Sequence, residues 1–137
     1  MKEEEVAELV RYRMEQARAT LDDARYLLEG KRSPRSVINR SYYAMFYAVL
    51  ALLQSTGTIP RKHSGVISLF DVEFVGKGIF PRELSHDLHQ AFELRQVSDY
   101  RFVQPVGADK AQALLEKAAC FVRSVEQYLS ETQRPTE

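Results

Sequence analysis

The chain has 137 residues, 45% of them apolar, with 19 basic and 19 acidic side chains and a single cysteine. That length supports one domain around one core. The balanced charge argues against a broad electrostatic grip on nucleic acid, though a local patch is still open to it, and a lone cysteine excludes an internal disulfide and fits a reducing cytoplasm.

The N-terminus, MKEEEVAELVRY, is too acidic for a signal peptide and has no apolar stretch. The longest apolar run, YYAMFYAVLALL, is about half a membrane span. A cytoplasmic protein with no membrane segment is expected. Arginine outnumbers lysine 13 to 6, so forked donors suited to phosphate are plentiful.

In chain order, a first amphipathic helix is predicted from Lys2 to Glu29, with Val6, Val10, Met14, Ala17, Leu21, Ala24 and Leu28 on one stripe and Gly30 as its stop. Ser33 and Pro34 read as cap and first helical position of a second helix running to Ser55, ahead of Gly57. Ile38, Tyr42, Met45, Phe46, Val49 and Leu53 form its stripe, and Leu50 and Leu52 widen it, which marks a central helix. TGTIPRK is a loop. A shorter helix follows from His63 to Val75, with Val66, Ile67, Phe70 and Phe74 inward. Pro81 opens a fourth helix that ends near Asp99. After QPVG, Asp109 with Gln112 reads as a capping box, and Ala111, Leu114, Leu115, Ala118, Val122, Val125 and Leu129 line the last helix.

No stretch alternates with period two. The expected fold is therefore all-α: an antiparallel up-and-down four-helix bundle with one additional short helix, a single domain over 1–130 and a frayed tail over 131–137.

Helical geometry groups Arg40, Tyr43 and Tyr47 on the second helix, away from its main stripe. On the fourth helix, Leu84, Leu88, Ala91 and Arg95 share a face, with Asp99 one turn further on. A part-buried arginine needs a partner, and Asp99 is the local candidate. Arginine before aspartate is the poorer helical order, and an acid in the last turn opposes the dipole. The pair therefore reads either as a bridge locking the bundle end or as a phosphate-facing arginine held by its carboxylate. His86 and His89 stand three apart but lack a third ligand at a recognised spacing, so no metal site and no cofactor are assigned. Cys120 reads as a small packed or half-buried thiol.

The strings NRSYYAMFYAVLALLQSTG, RKHSGVISLF and LRQVSDY, in that order, resemble the HEPN family in its small stand-alone bacterial and archaeal branch, over about Ser36 to Leu129. The resemblance implies the same helical bundle, a homodimer, and pairing with a minimal nucleotidyltransferase in a toxin–antitoxin-type module. Active members of that kind are metal-independent ribonucleases carrying an arginine, four to six residues, then a histidine. Arginine would stabilise the phosphorane charge while histidine moves the proton of the ribose 2′-oxygen.

By the resemblance, Arg95 matches the motif arginine, but the histidine slots hold Tyr100, Arg101 and Phe102. A tyrosine is a poor base at neutral pH. Arg82 and His89 satisfy the spacing, a match expected about once by chance here. The resemblance also makes Tyr100 the nearest counterpart of a tyrosine that the partner nucleotidyltransferase adenylylates, while His63, in the family-like KHSGV segment, reads either as a helix-entry or packing histidine or as a base supplied from elsewhere in the sequence. Two functions stay open at this point, beside a third reading as a purely structural dimer whose charge pair only stabilises the bundle. One is a homodimeric nucleotide- or partner-binding module using Arg40, Tyr43, Arg95 and Asp99. The other is an endoribonuclease using Arg95 with His63 or Tyr100.

Overall fold

The computed structural model describes residues 2–58, 62–99 and 106–132, with the His63 side chain outside the description. Among the described residues there are five α-helices and no strand: α1 (Glu3–Glu29), α2 (Pro34–Ser55), α3 (His63–Phe70), α4 (Arg82–Ser98) and α5 (Ala108–Thr132). α3 runs straight into a π-helical turn, Asp71–Val75. α1, α2, α4 and α5 make the antiparallel bundle, and α3 is the additional short helix.

α2 is the centre because it is apolar on most sides. Val37, Ile38, Tyr42, Ala44, Met45, Ala48, Val49, Ala51 and Leu52 are all fully buried, and α2 packs against each of the other four helices. A helix with that pattern has no face it can leave in water. The α1 stripe from Val10 to Ala24 is buried against it. α5 buries its expected stripe together with Phe121, and a salt bridge from Arg18 to Glu126 closes the α1–α5 edge.

The two ends of the α1 and α2 helices show how a chain reverses. Both finish in a Schellman pair of backbone bonds: Arg32 N–H to Leu27 O and Lys31 N–H to Leu28 O after α1, Thr58 N–H to Leu53 O and Gly57 N–H to Gln54 O after α2. At α2 the left-handed residue is Gly57 (φ +82°), whereas at α1 it is Lys31 (φ +54°) and not the expected Gly30. The sequence pattern pointed one residue too early because a lysine occupies the position that glycine normally fills.

Two other expected caps differ in detail. Ser33 stands at the N-cap of α2 with Pro34 at the first position, but its side chain makes no capping hydrogen bond. α5 already begins at Ala108, so Asp109 sits inside the first turn, where a carboxylate suits the dipole, and is not the cap.

The π turn joins α3 to α4. Phe70 and Phe74 remain stacked in the core at 6.1 Å between ring centroids, alongside Phe80 and Phe121. Gly76 N–H closes the wider turn on Asp71 O at 2.6 Å. A Cβ on Gly76 would lie 3.0 Å from two backbone oxygens, so a larger residue there would press on the turn. The turn leaves the Asp71 carboxylate to accept Ser85 Oγ at 2.6 Å and to sit 2.6 Å from His89 Nε2, both on α4.

Candidate functional site

The C-terminal half of α4 lies against the first half of α2. Arg95 extends the Leu88–Ala91 core stripe, as its spacing predicts, and its guanidinium carbon lies 5.3 Å from the ring centroids of both Tyr42 and Tyr43. That is within the range of cation–π attraction. Its Nε is buried and has no hydrogen-bond partner among the described residues.

The expected Arg95–Asp99 pair does not form. Asp99, at the C-cap of α4, accepts from Arg35 Nε at 3.2 Å across the helix junction. The reason is visible in the neighbourhood. Two aromatic rings offer Arg95 a dry cationic seat, and Arg35 at the start of α2 reaches Asp99 from the solvent side, where both side chains are substantially exposed. An acid in the last helical turn is offset by this arginine from another helix rather than by one in its own.

Arg40 comes to the same corner. Its Nε and Nη2 donate to Asn39 Oδ1 at 3.1 and 2.8 Å, and its guanidinium carbon stands 5.4 Å from the Tyr43 centroid. Tyr43 therefore carries a guanidinium from each of two helices. Neither Arg40 nor Arg95 has a carboxylate within salt-bridge reach among the described residues. Beside them opens a cleft of about 510 Å³ lined by Leu27, Ser33, Arg35, Ser36, Asn39, Arg40 and Asp99.

Tyr42 is fully buried. Burial pushes its hydroxyl up to about 12 from the ordinary 10.0, against the opposing pull of Arg95. It stays protonated at neutral pH and serves Arg95 as a ring, not as a base.

Of the residues singled out from sequence, the fold brings Arg40, Tyr43 and Arg95 together and sets Asp99 on the adjoining cleft. Tyr100 and the side chain of His63 lie outside the described residues. The Arg82–His89 string falls apart: Arg82 is exposed at the start of α4, while His89 is tied to Asp71. His89 thus ties α4 to the π turn. Cys120 is exposed rather than packed. No group of three or more histidine, cysteine, aspartate or glutamate side chains is placed to hold a metal ion among the described residues. No described helix is long and apolar enough to cross a membrane.

Sequence reasoning missed Arg35, Asn39, Ser36 and the Tyr42 ring. A signal was present, since Ser36, Asn39 and Arg40 recur at helical spacing and cut a polar strip into an otherwise apolar helix.

A HEPN domain family model matches residues 10–128. The chain is 36% identical over 130 residues to a Thermotoga maritima protein named "UPF0332 protein", covering 95% of this chain and 98% of that one. Two Methanocaldococcus jannaschii proteins, each named "Putative toxin", are also similar. One is 30% identical over 127 residues, 93% of each chain. The other is 36% identical over 92 residues, 67% of this chain and 63% of its own length. With the helical bundle and a family match over nearly its whole length, the chain belongs to the HEPN domain family.

Proposed function

We propose that this protein is a toxin-type HEPN module that binds the phosphate of a nucleotide or RNA at the α2–α4 corner, acting as a homodimer alongside a minimal nucleotidyltransferase. The observation that carries the reading is Arg95: a guanidinium positioned by two tyrosine rings, with a buried Nε that finds no acceptor and no carboxylate in salt-bridge reach among the described residues. A buried polar group in that state is expensive unless a partner arrives. Arg40 adds a second cation to the same ring, and a cleft of about 510 Å³ alongside is of a size that holds a nucleotide. The toxin-named relatives support the module type.

Fluorescence polarisation with a labelled adenine nucleotide and a short single-stranded RNA tests this. Arg95→Ala should weaken binding at least tenfold while the helical content is kept. Unchanged binding would remove Arg95 from the role. Sedimentation velocity alone and with a purified minimal nucleotidyltransferase tests the dimer and the partner.

The toxin-named relatives also favour a second reading, an endoribonuclease in which Arg95 works with Tyr100 or His63 as a non-standard base. Incubation with single-stranded RNA in chelator separates the two. Cleavage that disappears in Arg95→Ala supports the ribonuclease, and binding without cleavage supports the module.

A further inference from the structure

Three other polar clusters among the described residues pair internally, and the one further buried side-chain atom without a partner there is the Ser41 hydroxyl. Asp71 holds Ser85 and His89, Lys117 donates to Gln90, and the rim of the α1–α5 groove is bridged by Arg18 and Glu126. The α2–α4 corner is different, and its charge count says more than that it takes a phosphate.

Three arginines gather there, Arg35, Arg40 and Arg95, and one carboxylate, Asp99. Asp99 is committed to Arg35. Arg40 is oriented by Asn39, whose amide oxygen supplies geometry without charge. Arg95 lies over two rings, and no carboxylate reaches it among the described residues. Two positive charges, one from α2 and one from α4, thus lie against the Tyr43 ring, and neither has a carboxylate within salt-bridge reach among the described residues. A phosphodiester brings one negative charge and neutralises one of the two. A phosphomonoester brings nearly two at neutral pH, with three acceptor oxygens.

We infer that the corner is built for a terminal phosphate, the phosphomonoester dianion of a nucleotide, and that Arg40 sets the preference for it over a phosphodiester. Arg40 stands in both parts of the site. It lies over Tyr43 beside Arg95, and it lines the cleft where Ser33, Ser36 and Asn39 offer donors and acceptors to a sugar and base. Arg95 supplies the charge that any phosphate needs, and Arg40 supplies the one that only a dianion uses fully. The inference rests on the phosphate-binding reading above and narrows its ligand.

The test compares AMP with its phosphate methyl ester, which differs only in losing the second charge, by isothermal titration calorimetry at pH 8. Inorganic phosphate serves as a third probe. AMP should bind about tenfold tighter than the ester. Arg40→Gln should shrink that margin to within about twofold, and Arg40→Lys should keep most of it. Arg95→Gln should weaken both nucleotide probes alike. Inorganic phosphate binding as tightly as AMP would assign the preference to a free anion and overturn the nucleotide. An ester that binds as well as AMP, or a margin that survives in Arg40→Gln with native helicity, overturns the dianion assignment and leaves phosphate binding standing. Failure of every probe to bind removes both readings together.

Discussion

The two ends of α4 handle polar groups in opposite ways. Near its start, one carboxylate, Asp71, receives Ser85 and His89 and pins the π turn to the helix. Near its end, Arg95 is placed just as firmly, by two rings, and is left without an acceptor for its Nε. The first arrangement is complete in itself and serves the fold. The second is complete only with something added. A satisfied cluster and an unsatisfied one, two turns apart on the same helix, separate structure from function more clearly than residue type does. The catalytic-looking trio of aspartate, serine and histidine is the structural one.

The sharpest way to break this contrast is to remove what both ends depend on. Tyr42→Ala should cost about 3–5 kcal/mol in urea-induced unfolding, as for other fully buried aromatics, and should abolish nucleotide binding as well, because Arg95 loses half of its seat. Stability lost without any loss of binding would show that Tyr43 alone positions the arginine.

Alkaline unfolding addresses the same ring. The Tyr42 hydroxyl is held near 12 in the folded protein against 10.0 when exposed. The unfolded chain therefore releases its proton first as pH rises, and stability falls between those values. Tyr42→Phe should remove that part of the fall. An identical alkaline profile in the variant would contradict the assignment to Tyr42.

Asp71→Ala should lower stability by about 1–2 kcal/mol, since Ser85 and His89 lose a shared acceptor in a half-buried setting, yet leave binding at the other end within twofold. Arg95→Met should do the converse, with little or no loss of stability because a paired charge is not being broken, and binding weakened at least tenfold. If Asp71→Ala also weakened binding tenfold, the two ends would be coupled and the division drawn here would be wrong.

The smallest effect is expected at the α1 terminus. Lys31→Gly should raise stability by up to about 1 kcal/mol, and Gly57→Ala at the matching place after α2 should lower it by a similar amount, because both positions are left-handed. A destabilised Lys31→Gly would mean that the lysine side chain contributes more than its backbone strain costs.

Much of the architecture was legible in the sequence because helical burial is periodic. The stripes of α1, α2, α3 and α5 line the core as read, with Val6, Leu28 and Leu50 only partly buried at its margin, and Arg95 continues the α4 stripe with its Nε buried. Ends were read less well, as at Gly30, Ser33 and Asp109, since a cap depends on the geometry of one or two residues and not on a repeated pattern. Pairing was read worst. Asp99 is four residues from Arg95 and sixty-four from Arg35, yet it joins Arg35. Sequence distance cannot rank two arginines when one is drawn into an aromatic seat and the other crosses from the next helix.

The sequence by itself determined an all-helical bundle with α2 at its centre, because apolar spacing at helical period dictates which faces must leave water, and its motif strings carried the resemblance to the HEPN family. Only the tertiary structure decided which charges are spent. It gave Asp99 to Arg35 and Asp71 to His89, and it set Arg40 and Arg95 against one tyrosine ring with no carboxylate. The physical reason is that burial follows from local pattern, whereas the partner of a charge is whatever group the packing of other helices brings within about 4 Å.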